Sequence, residues 1–113
     1  MAISAQEAKR KRDAKVRATL SNFAPIWLVG DEYRPREDAV LFNLVFVNPV
    51  YGWVNNRMKY DAFNDVLYHM GERRLTEDET LPLQDETPYI DGEVATRVPN
   101  SPEFLSRPAG PKA

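Results

Sequence analysis

A chain of 113 residues, 42% hydrophobic and 28% charged, has the make-up of one small folded domain and is too apolar to be wholly disordered. It has no cysteine, which excludes disulfide scaffolds, thiolate metal sites and cysteine nucleophiles, and favours a reducing, cytoplasm-like compartment over secretion. The formal charge of −2 conceals opposite ends: six cations against Glu7 and Asp13 in residues 1–20, and seven acids with no cation in residues 76–93.

Residues 4–20 are predicted to form a helix. Ser4 and Glu7 stand at capping-box spacing, the interior is rich in Ala, Lys, Arg and Gln, and Glu7–Lys11 and Asp13–Arg17 are acid-to-base pairs one turn apart. Its apolar stripe is thin, with Ala5, Val16 and Leu20 roughly on one face and Lys9 and Arg12 crowding it. The helix reads as a solvated arm or a piece that docks elsewhere. The positive start has no apolar stretch behind it, so it does not read as a secretory signal.

After a break at residues 21–25, residues 26–29 read as a short strand and residues 30–38 as a charged loop. Residues 39–47 give the clearest strand, dominated by aromatic and β-branched side chains. It is apolar on both faces: Val40, Phe42, Leu44 and Phe46 on one, and Leu41, Val45 and Val47 on the other, broken only by Asn43. Residues 50–54 suit a third strand or an aromatic loop. Tyr60, Phe63, Leu67 and Met70 recur at helical spacing, which predicts an amphipathic helix over residues 56–70 with Gly71 as its stop. Thr76 and Glu79 suit a cap for one more helical turn. Six of the nine prolines lie between Pro82 and Pro111, so an extended, acidic tail is expected, with a hairpin near Ile90 and an isolated apolar pair, Phe104 and Leu105.

The expected fold class is therefore α+β: two to four mainly antiparallel strands packed by one amphipathic helix, preceded by a basic helix and followed by an extended tail. The corresponding segments are a basic arm (1–22), an α+β core (23–75) and an acidic, proline-rich tail (76–113). The longest apolar run is far below the ~20 residues of a membrane helix, so no membrane insertion is expected.

Chemistry-bearing constellations are sparse. His69 is the sole histidine, and Asp65, His69 and Glu72 make a poor metal set without a second histidine or a cysteine. Asp61 and Asp65 form a carboxylate pair, but nothing in their setting splits their pKa values for acid–base work. Neither a G-x-S-x-G elbow nor a glycine-rich phosphate loop is present. The expectation is a non-enzymatic accessory or structural subunit, without cofactor or metal, acting through protein partners as a homo- or hetero-oligomer. Candidate contacts are Lys9, Arg10, Lys11, Arg12, Lys15 and Arg17 of the basic helix, together with Trp53, Phe104 and Leu105. A nucleic-acid-binding regulator using the same cations is the alternative, though no aromatic residues interleave with them for base stacking. The cations could also clamp the chain's own residues 77–93. The case for a partner rests on area: one amphipathic helix covers one face of the apolar strand, and little remains to cover the other.

Overall fold

In the computed structural model, which describes residues 3–91, one antiparallel sheet of four strands carries a helix on each face, in agreement with the α+β expectation. The strands β1 (Trp27–Arg34), β2 (Ala39–Asn48), β3 (Gly52–Asp61) and β4 (Val66–Arg74) follow one another as a simple meander in the order β1-β2-β3-β4. Helix α1 (Ala5–Leu20) precedes them and α2 (Glu77–Gln84) follows.

The meander arises from three hairpin connections of similar build. Each ends in a residue with positive φ: Asp38 at 51°, Gly52 at 82° and Asp65 at 58°. Two of the connections are opened by a side-chain acceptor. Asn48 Oδ1 takes the amides of Val50 and Tyr51 at 2.7 and 3.1 Å, and Asp61 Oδ1 takes those of Phe63 and Asn64, both at 3.0 Å. In the first connection the backbone does this work, with the Glu37 amide donating to the Arg34 carbonyl at 3.1 Å. Asx acceptors and left-handed turn residues compete with helix at these points.

The last of these turns overturns the helix expected over residues 56–70. The segment is the end of β3, a turn and β4. Tyr60, Phe63, Leu67 and Met70 have helical spacing in sequence, but Asp61 and Asp65 fold the chain back between them. The competing period of two then governs β3, where Val54, Asn56, Met58 and Tyr60 are buried and Arg57 is exposed. The structure also lengthens the first strand to Arg34, leaving only four residues of the anticipated loop as a turn.

Two cores result. The larger lies between α1 and the first face of the sheet: Ala8 and Val16 meet Val40, Phe42, Leu44, Phe46, Met58 and Tyr60. Ser4 caps α1 as expected, accepting the Glu7 amide at 3.0 Å, but the buried stripe is Ala8, Arg12 and Val16, since Arg12 lays its stem inward and is only 2% exposed. On the second face Trp27, Val45 and Trp53 form a smaller core with Val47, Leu75 and Leu83 of α2. The Thr76–Glu79 capping box is realised in full, with the Thr76 amide donating to Glu79 Oε1 at 2.8 Å. Trp27 Nε1 donates to the Glu86 carbonyl at 2.9 Å, which ties the chain beyond α2 to the sheet.

The expectation that the second face of the central strand lies bare is thus only half right. Its Val45 end is sealed by the chain's own residues, because the segment read as extended tail contributes α2. Ile90 then pairs with Ile26 ahead of β1 at 2.8 and 3.1 Å, while the second half of the hairpin expected near Ile90 lies outside the described residues.

Strand β1 contains a bulge between Val29 and Asp31, where Gly30 sits at φ +73°. Trp27 and Val29 lie on the second face, whereas Asp31 and Tyr33 lie on the first, beneath α1. A second irregularity in β4 sets Met70 outside the register opposite Arg57 and Met58.

Candidate functional site

The cations of α1 are turned largely toward the chain itself. Arg12 donates to Asp31 through both terminal nitrogens at 3.1 and 3.3 Å and to Asp13 through Nε at 2.7 Å, with its guanidinium 4.7 Å from the centre of the Phe42 ring. Burial opposes the charge on Arg12, but the bonds to Asp31 and Asp13 and the proximity of Tyr89 hold its pKa above the ordinary value. Lys9 stands 3.7 Å from Asp31, Lys11 donates to the Ala62 carbonyl at 3.1 Å, and Lys15 pairs with Asp65 at 3.3 Å. Arg10 and Arg17 are exposed. Lys9, Arg12 and Lys15 thus meet Asp31 of β1, Asp13 of α1 itself and Asp65 of the β3–β4 turn rather than acids of residues 77–93, and the Tyr89 hydroxyl donates to Asp13.

The other nominated residues disperse. Trp53 is buried in the smaller core with its ring centre 5.7 Å from that of Trp27. Phe104 and Leu105 fall outside the described residues. Asp61 is occupied in its turn, and its amide contacts to Asn64 and Phe63 keep its carboxyl below the usual range. The Tyr60 hydroxyl donates to Asp65 at 2.6 Å, lowering the Asp65 pKa, with Lys15 adding to the effect. Burial in turn pushes the Tyr60 hydroxyl well above the ordinary tyrosine value. His69 lies on β4 with Nε2 2.8 Å from Asn56 Oδ1, and no cluster of three metal-ligating side chains occurs among the described residues.

What the structure brings together is a surface that sequence reasoning missed, centred on β4. This strand forms one edge of the sheet and is exposed over nearly its whole length. Phe63 at the tip of the β3–β4 hairpin is 82% exposed, Met70 56% and Tyr68 46%, with Val66 also bare. On the α1 side of β4 an apolar groove of about 390 Å³ runs between the last turn of α1 and the strand, past Leu20, Met58, Leu67 and His69. It adjoins a second hollow of about 230 Å³ that reaches Phe23, Phe46 and Asn56.

No protein-family model, curated protein or solved structure matches the chain.

On the opposite face, the half of the sheet not covered by α2 presents two cross-strand rows. One runs Val29, Asn43, Arg57, Gly71, and the next Glu32, Leu41, Lys59, Tyr68. Gly71 faces open space, since a Cβ placed there meets nothing within 4 Å. Lys59 pairs with Glu37 at 3.3 Å, while the Arg57 side chain has no hydrogen bond or ion pair among the described residues. The alternation of β3 carried a signal for this surface, with Asn55, Arg57 and Lys59 opposite a buried set. The helical reading of residues 56–70 concealed it.

Proposed function

We propose that the chain is a non-enzymatic accessory subunit that holds another protein against the β3–β4 side of its sheet. The observation that carries this reading is β4, an edge strand with no outer partner among the described residues, on which Val66, Tyr68 and Met70 are exposed together with Phe63 at the hairpin tip. Isolated exposed apolar residues are ordinary, but four along one hairpin at a sheet edge make a surface suited to a protein contact. The opposite edge differs: its start is engaged by the Ile26–Ile90 bridge.

The reading does not need the fold to be incomplete alone, because the core is closed by α1 on one face and by α2 on part of the other. Nucleic-acid binding through α1 is less well supported, since Lys9, Arg12 and Lys15 already neutralise Asp31, Asp13 and Asp65. An acid–base role has little support either, as Asp61 and Asp65 are held ionised near neutrality by their hydrogen bonds.

The test is co-purification of the full chain from its native source, alongside a variant carrying Phe63→Ser, Tyr68→Ser and Met70→Ser. A protein retained at stoichiometric level by the wild type and lost by the folded variant supports the reading. Equal recovery with both, or a wild type that retains none, overturns it.

A further inference from the structure

We infer that the half of the second sheet face left open by α2 and the other described residues docks an acidic amphipathic helix of a partner protein. This rests on the reading of the chain as a protein-binding subunit and assigns the chemistry of what it binds.

The chain itself supplies the template. The covered half of this face is an apolar group, Trp27, Val45 and Trp53, beneath a short acidic helix. Helix α2 contributes Leu83 to that core and has Glu77, Asp78 and Glu79 in its first turn. Glu79 reaches down to Arg73 of β4 at 3.3 Å. An apolar contact to the sheet and an acid-to-arginine contact at its edge hold α2 in place.

The other half repeats this arrangement without a lid among the described residues. Val29, Leu41, Val66 and Tyr68 supply apolar surface, and Arg57 supplies an unanswered cation, the neighbouring charges being paired already, Lys59 with Glu37 at 3.3 Å and Glu32 with Arg34 at 3.0 Å. Arg57 is two residues along β3 from Asn55, the residue registered with Arg73, so it stands toward the bare half as Arg73 stands toward the covered one. It is exposed and has no anionic partner among the described residues. Along β2, Val45 of the covered row and Leu41 of the bare row are four residues apart, about 13 Å at the strand rise. Packed helices need about 8–10 Å between axes, so a second helix fits beside α2. Gly71 adds clearance at the β4 edge, where no side chain stands above the backbone.

Charge selects the occupant. A basic helix would meet Arg57 with like charge, and an uncharged one would leave it unanswered. An acidic helix with leucine-like residues on one side answers both Arg57 and the apolar strip.

The experiment uses the full chain and two fluorescent synthetic helical peptides of about 18 residues, identical in their leucine stripe and flanked by glutamate in one and lysine in the other. A single-stranded oligonucleotide serves as a third probe. Anisotropy at low salt is expected to show the glutamate peptide binding at least tenfold more tightly than the lysine peptide. Binding should weaken as salt rises, and weaken at least fivefold with Arg57→Glu or Tyr68→Ser, both of which leave the circular dichroism unchanged. Backbone NMR shifts on titration should centre on Val29, Leu41 and Gly71. Equal binding of the two peptides, or shifts centred on α1, overturns the inference. So does a preference for the oligonucleotide that is lost with Arg57→Glu, which would make this a nucleic-acid surface. A native partner retained undiminished by Arg57→Glu, yet lost with the hairpin triple variant, also overturns it while leaving the proposed function standing.

Discussion

Replacing Arg12 by methionine tests the strongest energetic claim of the fold, that a guanidinium is a core element of the α1–sheet interface. Methionine keeps most of the stem volume and removes the charge. The lost interactions are the two bonds to Asp31 at 3.1 and 3.3 Å, the one to Asp13 at 2.7 Å and the contact with the Phe42 ring at 4.7 Å. Charge-assisted hydrogen bonds contribute about 1.5–3 kcal/mol each when fully desolvated, and a cation over an aromatic ring about 0.5–2 kcal/mol. Asp31 and Asp13 remain partly exposed and regain water when Arg12 is lost, which discounts the sum. The expected cost is about 2–3 kcal/mol for Arg12→Met, with Arg12→Ala about 1 kcal/mol worse because it also leaves a cavity. In a domain of this size that corresponds to a melting temperature lower by about 10–15 °C. Urea unfolding of Arg12→Met, Asp31→Asn and the double variant closes a cycle, with an expected coupling of about 1–2 kcal/mol. A loss below about 0.5 kcal/mol for Arg12→Met, or strictly additive single effects, would refute the assignment of Arg12 to the core.

Tyr60→Phe removes a buried hydroxyl donating to Asp65 and should cost about 1–2 kcal/mol at neutral pH. Because Asp65 is held below the ordinary carboxylate range, its contribution is complete above about pH 4 and lost as pH falls through its lowered native value, so urea unfolding at about pH 2 should show the penalty shrinking. A penalty that stays constant with pH counts against the pair. Leu83→Ala should loosen α2 over Trp27 and Trp53, the chain's two tryptophans, costing about 1–2 kcal/mol. The emission maximum should move to longer wavelength, and an unmoved spectrum would place the helix elsewhere. Gly52→Ala places a Cβ in open space but at φ +82°, so the loss of about 1 kcal/mol is conformational and should appear in the melting temperature without new contacts in an NMR spectrum.

The parts of the fold that depend on local chemistry were readable from the residues. Ser4 and Thr76 marked two helix starts, and the apolar run of residues 39–47 marked the central strand almost to its ends. Residues 56–70 failed because two periods coexist there: the apolar residues match a helical stripe only if Asp61 and Asp65 are ignored. Those two residues carried the decisive signal, an Asx acceptor followed four positions later by a residue able to take positive φ. Asn48 and Gly52 repeat the same spacing one hairpin earlier. The candidate surface was barely legible. A run of Lys and Arg looks uniformly solvated, and only the packed helix reveals that Arg12 is internal whereas Arg10 is exposed. Which strand forms an edge, and which half of a face α2 leaves bare, are outcomes of tertiary arrangement that no window of sequence contains.

The looped-out Gly30 gives β1 an unusual freedom, for it lets one ribbon serve two masters. In a regular ladder Gly30 would stand opposite Phe42, and every later residue would swap sides, carrying Asp31 away from the guanidinium it holds. A valine at this position is disfavoured at φ +73° and would press on Asn43, so it should pull the residue back into the ladder and uncouple the helix from the sheet. Deleting the glycine altogether should be gentler, since Asp31 then follows Val29 directly and still arrives opposite Phe42. At this spot one amino acid too few is expected to do less harm than one of the wrong shape.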